Sequence, residues 1–256
     1  MDNLILDLIY WLQVNASAEM LTVGSFALCA VAILGLLKFY GVYGLYAYNV
    51  LAIVIANIQV LRFTQFNNFT DPVALGTVLF TTTFFVNDVI TEHYGVQYAK
   101  KSIMLCFWGQ VLVILWMLLA LGHPLPILTS SDLASNDAHN NYLAMLKLFA
   151  PSLRILLASL VAYITSQLLD IVIFNALRYM TKGKYLWLRQ NIAMLLSGLC
   201  DTFLFSVLAW KWFSDVPITY SQLIITYVIS AQIMRMLLNI SFTPLMYMSY
   251  RYATVK

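Results

Sequence analysis

Apolar residues run through this chain in blocks about twenty long, broken by short clusters of charge, Gly, Pro and Asn. Twenty apolar residues at 1.5 Å each cross a hydrocarbon core of about 30 Å, so each block reads as a transmembrane helix. Seven blocks qualify, at 21–37, 42–61, 72–90, 103–122, 155–177, 192–212 and 222–247. The breaks carry turn chemistry or charge: 38–41, Asn67-Asn68, Asp71-Pro72, Lys182-Gly183-Lys184 and Asp215-Val216-Pro217. The longest break, 122–151, is rich in Ser, Asn, Asp and Pro, with room for a short helix at 141–149. Residues 1–20 suit an interfacial helix, since Asp2, Asp7 and Glu19 oppose a span. The pattern thus predicts an all-α polytopic membrane protein with seven transmembrane helices around a polar cavity. Its parts are an N-terminal segment (1–20), an extra N-terminal span (21–40), a six-helix core (41–250) and a cytoplasmic tail (251–256).

Composition sharpens the class. Of 256 residues, 62% are hydrophobic and 10% charged, against about 25% charged in average soluble domains. That excludes a soluble enzyme, a disordered scaffold and a nucleic-acid binder with a basic face. Cys29, Cys106 and Cys200 fall inside apolar blocks without metal or redox spacing, and read as small core residues. The start, Met1-Asp2-Asn3, lacks the basic region of a cleaved signal peptide.

The net charge of +3 matters less than where the cations fall. Alternate connections and the C-terminus hold Lys38, Lys100, Lys101, Arg178, Lys182, Lys184, Arg189, Arg251 and Lys256; the opposite set holds Arg62, Lys147, Arg154 and Lys211. Nine against four, by the positive-inside rule, places the N-terminus outside and the C-terminus in the cytoplasm.

Four charged residues interrupt the blocks: Asp88, Asp170, Asp201 and Arg235. Each costs about 2.5–3.5 kcal/mol at a helix centre, so each should face a partner or a water-filled cavity. At 1.5 Å per residue Asp88 and Asp170 lie roughly 23 Å from the outer ends of their spans. All four belong to the middle or the cytoplasmic half, and could line one cavity or form an internal strut. Helical spacing adds companions: Ser166, Gln167 and Asp170; Ser197 and Asp201; Gln232, Arg235 and Asn239. Asn57 interrupts the second block, and Glu92 lies one turn beyond Asp88. The candidate substrate-binding set is therefore Asn57, Asp88, Gln167, Asp170, Ser197, Asp201, Arg235 and Asn239, with Asp88 and Glu92 as proton or gate residues. By themselves these residues specify a polar, planar or zwitterionic small solute.

The run Phe84-Phe85-Val86-Asn87-Asp88-Val89-Ile90-Thr91-Glu92-His93-Tyr94-Gly95 resembles the signature of the bacterial queuosine precursor transporters, a family akin to vitamin-uptake transporters. Arg154-Ile155, Ala158-Ser159, Ala162-Tyr163, Gln167, Asp170, Phe174-Asn175 and Leu177-Arg178 match the family's next block. Ser197, Asp201-Thr202, Phe205 and Trp210 match a third, and Pro244-Leu-Met-Tyr247 fits the end. The likeness covers roughly residues 50–250; the extra span and Gly198, where the parallel segment has Gln167, depart from it.

The resemblance implies inner-membrane import of 7-deazaguanine bases (7-cyano-7-deazaguanine, 7-aminomethyl-7-deazaguanine or queuine) for tRNA queuosine salvage. Carboxylates would accept the N–H groups of a guanine-like edge, and Gln167, Asn57 or Arg235 would donate to its carbonyl. It implies no cofactor, no metal and no catalysis. Proton coupling, facilitated diffusion and a homo-oligomer stay open, and an ATPase partner is neither required nor excluded. An alternative is the membrane component for another vitamin-like solute, working with an ATPase; no Walker sequence occurs in this chain. From another class, two aspartates could serve an intramembrane hydrolase, with Gly198-Leu-Cys-Asp201 loosely resembling its motif.

Overall fold

The computed structural model describes residues 2–67, 72–124, 133–149, 152–212 and 228–253. Its order begins with α1 (Asp2–Asn15) and α2 (Ala18–Gln59), then a two-strand ribbon, β1 (Phe63–Thr64) and β2 (Val73–Ala74). There follow α3 (Thr77–His93), α4 (Val96–Gly122), α5 (Leu133–Phe149), α6 (Ser152–Met180) and α7 (Leu186–Val207). A π-helical turn, Leu208–Trp212, extends α7, and α8 (Ser230–Tyr252) closes the described chain. Apart from the ribbon, whose register pairs Phe63 with Ala74 and Thr64 with Val73, the elements among the described residues are all helices.

The first two apolar blocks are joined without a loop, and α2 runs 42 residues. A straight rod of that length would measure about 63 Å. Yet Glu19, in its first turn, accepts a hydrogen bond from the Asn67 amide at 2.9 Å. The eight residues beyond Gln59 reach at most about 29 Å, so the helix must fold back on itself. It does so at Gly41, whose φ of 59° and ψ of −138° suit glycine alone. The reversal is tight: a Cβ on Gly44 would stand 2.6 Å from the Leu36 carbonyl oxygen. The expected break at 38–41 thus shrinks to one residue. The first leg packs into the core through Ile33 and Leu37, and its Phe26 ring lies 4.7 Å from Phe242 of α8.

α3 occupies the centre and touches α2, α4, α6, α7 and α8. Every residue from Thr81 to Thr91 is buried, which a helix with neighbours on all sides requires. Thr81, Thr82 and Thr83 turn their hydroxyls onto Thr77, Leu79 and Phe80 carbonyls, so no hydroxyl proton is stranded. α4 shows the reverse pattern. Ala99, Ser102, Ile103, Cys106 and Gln110 face inward, while Trp108, Leu112, Leu115, Trp116 and Leu119 are exposed. Apolar side chains on the outside and amides on the inside suit lipid as the surrounding solvent.

Four described helices are long and apolar enough to cross a membrane: Ala18–Gln59, Val96–Gly122, Ile155–Met180 and Leu186–Val207. α3 is shorter, at 17 residues, and α8 carries Gln232, Arg235 and Asn239. α5 begins at Leu133, eight residues before the helix expected at 141–149; Asp137 and Asn140 lie exposed on it and do not break it. Asn68, Asp71 and the Asp215-Val216-Pro217 break lie outside the described residues, as does the start of the block at 222–247.

Two ends can be told apart. At one, the Gly41 turn meets Tyr94, Tyr46 donates to the Tyr98 carbonyl, and Lys38 lies 5.9 Å from the Tyr252 ring. Lys182 and Lys184 of the α6–α7 turn belong to this basic end, because Arg189 there reaches Glu92. At the other, Glu19 meets Asn67, and Gly76 approaches Ala56.

Candidate functional site

Polar side chains reach the interior from four helices at helical spacing. α3 supplies Thr83, Asn87, Asp88 and Glu92; α6 supplies Ser166, Gln167 and Asp170. Arg189, Gln190, Ser197 and Asp201 come from α7, and Gln232, Arg235 and Asn239 from α8. All but Glu92, whose side chain is 6% exposed, rank among the buried residues. Residues three and four apart share a face, so each helix presents one polar stripe and leaves lipid its apolar remainder.

The stripes meet in three tiers. In the first, Arg235 Nη2 lies 2.6 Å from Asp201 Oδ2, and Ser166 donates to Asp201 Oδ1 at 3.0 Å. The guanidinium stands 6.0 Å from the Phe84 ring centroid, with Nη1 3.4 Å from the Gly198 carbonyl oxygen. The Gln232 amide shares this surface, standing with Arg235 Nη1 3.5–3.8 Å from where a Cβ on Gly198 would be.

The second tier holds Asp88 and Asp170. The Ser197 hydroxyl is 2.6 Å from Asp170 Oδ1 and 2.7 Å from the Ala193 carbonyl, and its single proton serves one at a time. Neither Asp88 oxygen, nor Asp170 Oδ2, meets a donor. Asp88 of α3 and Asp170 of α6 are neighbours across the two helices. Beside them runs a relay of amides. Asn49 donates to Ser102 and to Asn87, Asn87 donates to Gln167 at 2.8 Å, and Gln167 donates to Thr83 at 2.9 Å. The relay fixes which way each amide points, and Asp88 and Asp170 stand next to it in sequence and in space.

The third tier lies at the basic end. Glu92 accepts from the Tyr250 hydroxyl at 2.6 Å and from Arg189 Nη2 at 3.2 Å, with Arg178 Nη1 3.7 Å away. His93 Nε2 is 2.7 Å from Ser249 Oγ, and its ring meets Tyr250 edge-on at 4.6 Å.

Of the residues singled out by sequence, Asp88, Gln167, Asp170, Ser197, Asp201 and Arg235 come together. Asn239 is beyond them, accepting from Gln190 at 3.3 Å and lining a cavity of about 600 Å³ between α7 and α8 with Trp187, Asn191 and Thr243. Asn57 is apart: it donates to Gln110 of α4 at 3.0 Å, beside a small apolar cavity. The sequence does not single out Asn49, Thr83 or Ser102, and presents Asn87 only within the motif, although Asn49 and Asn87 interrupt apolar runs as Asn57 does. It also sets Arg189 among loop cations, whereas the structure buries it completely in the first turn of α7. Its nearness to Lys182 and Lys184 disguised it.

Membrane-length apolar helices around a buried, charged interior define a multi-pass membrane protein of transporter type. The sequence model of the family described as "Putative vitamin uptake transporter" matches residues 74–249, and the chain belongs to that family. It is 32% identical, over 75% of its length and 79% of the relative's, to a protein of Bacillus subtilis named "Probable queuosine precursor transporter". A Haemophilus influenzae protein of the same name is 28% identical over 58% of this chain and 57% of its own. No solved structure matches the chain significantly.

Proposed function

We propose that the protein imports queuosine precursors, 7-deazaguanine bases, across the inner membrane for tRNA modification. The observation that carries this is the Asp88–Asp170 pair: three buried carboxyl oxygens without donors, held rigidly beside oriented amides. A guanine-like edge offers an N–H and an amino group side by side, which carboxylates accept together. The Gln167 amide and Arg235 are the nearby donors for its carbonyl, and Ser197 orients Asp170. Asp201 is neutralised by Arg235 and shapes the far wall, with Asn239 beyond it. Asn57, bonded to Gln110, belongs to the scaffold in this reading.

The same reading takes seven spans around a polar cavity, N-terminus outside and C-terminus cytoplasmic. Supporting it, the two legs of α2 reverse at Gly41, the ends of α3, α6 and α8 gather with the start of α7, and that end carries the lysines. The paired carboxyls also suit proton coupling. Against a two-aspartate hydrolase stands Asp201: the residue of its motif-like segment is tied to Arg235.

Uptake of labelled 7-deazaguanine bases into cells lacking other salvage tests the proposal. Asp170→Asn keeps the shape, and should abolish uptake at matched protein levels. Losing an acceptor that faces N–H groups costs up to about 10⁴-fold in comparable sites. Normal uptake by both Asp170→Asn and Asp201→Asn would make the aspartates structural.

A further inference from the structure

Arg189 is the most deeply buried cation described, and it is incompletely used. Its Nη2 reaches Glu92 and, at 3.5 Å, the Gly183 carbonyl, while Nε and Nη1 have no acceptor. Its guanidinium lies over the Phe174 ring at 5.2 Å. Glu92 is four residues beyond Asp88 on α3, and Phe174 four beyond Asp170 on α6, so Arg189 sits one turn, about 6 Å, from the carboxyl pair. The charges facing it are Glu92 and Asp88 from α3 and the half-exposed Arg178 from α6, with the Tyr250 hydroxyl from α8. Two donors of a buried cation and three oxygens of a buried acid pair are thus left open one turn apart, each the natural complement of the other.

We propose that Arg189 is a moving countercharge that alternates between Glu92 and the Asp88–Asp170 pair, so that occupation of the pair closes the basic end. With the N–H edge of a base on the pair, Arg189 has no place there and locks onto Glu92, drawing α3, α6, α7 and α8 together. When the base leaves, the guanidinium swings to the freed carboxyls, Glu92 is released and that end opens. Arg189 is then a positioning residue, acting on the substrate through the two aspartates. Lys cannot replace it, because a point ammonium lacks the fork that holds Glu92 while stacked on Phe174. The proposal rests on the reading that the pair takes the base, but its first test needs no base.

Ala193 lies one turn above Arg189 on the same buried face of α7. In purified protein with Cys29, Cys106 and Cys200 replaced by Ala, the reactivity of Ala193→Cys toward a water-soluble maleimide reports opening of the basic end. Glu92→Gln should raise the labelling rate about tenfold, and Asp88→Asn, which removes one competing charge, should lower it. If Glu92→Gln does not purify as a folded protein, Glu92→Asp should give an intermediate rise. Unchanged labelling in folded Glu92→Gln, or an equal rise in Asp88→Asn, would overturn the exchange. A base that shifts neither labelling nor the unfolding temperature of the parent protein would instead overturn the assignment of substrate, leaving the labelling arms to judge the lock.

Discussion

Replacing both members of the Asp201–Arg235 pair should destabilise the protein no more than replacing either one alone. The pair is close, at 2.6 Å, and its side chains are 9% and 11% exposed. Asp201→Asn keeps an oxygen for Ser166 but leaves Arg235 facing the Gly198 carbonyl at 3.4 Å as its remaining partner. Arg235→Gln leaves Asp201 charged, with one neutral hydroxyl to satisfy it. Removing one partner of a buried pair costs about 3–5 kcal/mol, since the other charge stays buried and uncompensated. Taking about 3 kcal/mol for each, additivity predicts about 6 kcal/mol for Asp201→Asn with Arg235→Gln. The double variant, however, restores neutrality and keeps an amide-to-amide hydrogen bond, so it should cost about 3 kcal/mol or less. The resulting coupling of about 3 kcal/mol is of the size expected for residues in direct contact. In a thermal-unfolding series in detergent, each single change should lower the midpoint by about 9 °C, with the double no lower. A double variant that loses the sum of the two singles would refute the pairing and the tier built on it.

Gly76→Ala should be severe, because its Cβ would stand 2.5 Å from the Ala56 carbonyl oxygen on an adjoining helix, whereas Gly35→Ala, with open space around it, should not alter folded yield. Gly41→Ala should cost about 1–3 kcal/mol of stability, read by the same unfolding series, because its backbone lies where side chains are strained. Asn57→Leu should lose about 1–2 kcal/mol by stranding Gln110, and leave base affinity unchanged in a binding titration. A maleimide applied from outside intact cells should label Ser135→Cys and spare Lys184→Cys; the opposite pattern would reverse the proposed orientation.

Much of the architecture was readable in the residues themselves. A bilayer imposes one length and one polarity on every span, so Leu21 to Leu37 and Ile155 to Leu177 declare themselves without knowledge of their neighbours. The cost of a charge in lipid likewise picked out Asp88, Asp170, Asp201 and Arg235, each of which is indeed buried. Which charge meets which was a different matter. Periodicity places a residue on a face of its own helix, but the partner across the gap depends on how helices rotate and slide against one another. Hence Asp201 could be matched with Arg235 only as one option among several, and Asn57, chemically the twin of Asn49, is bonded to Gln110 of α4, a partner its own helix does not reveal. Arg189 shows the limit most sharply. Seven and five residues from two lysines, it reads as one more loop cation, and it becomes an interior charge because Glu92, ninety-seven positions away in sequence, is brought to it by the packing of α3 against α7. Local composition decides which segments leave water; only the tertiary arrangement decides which of their polar groups find each other there.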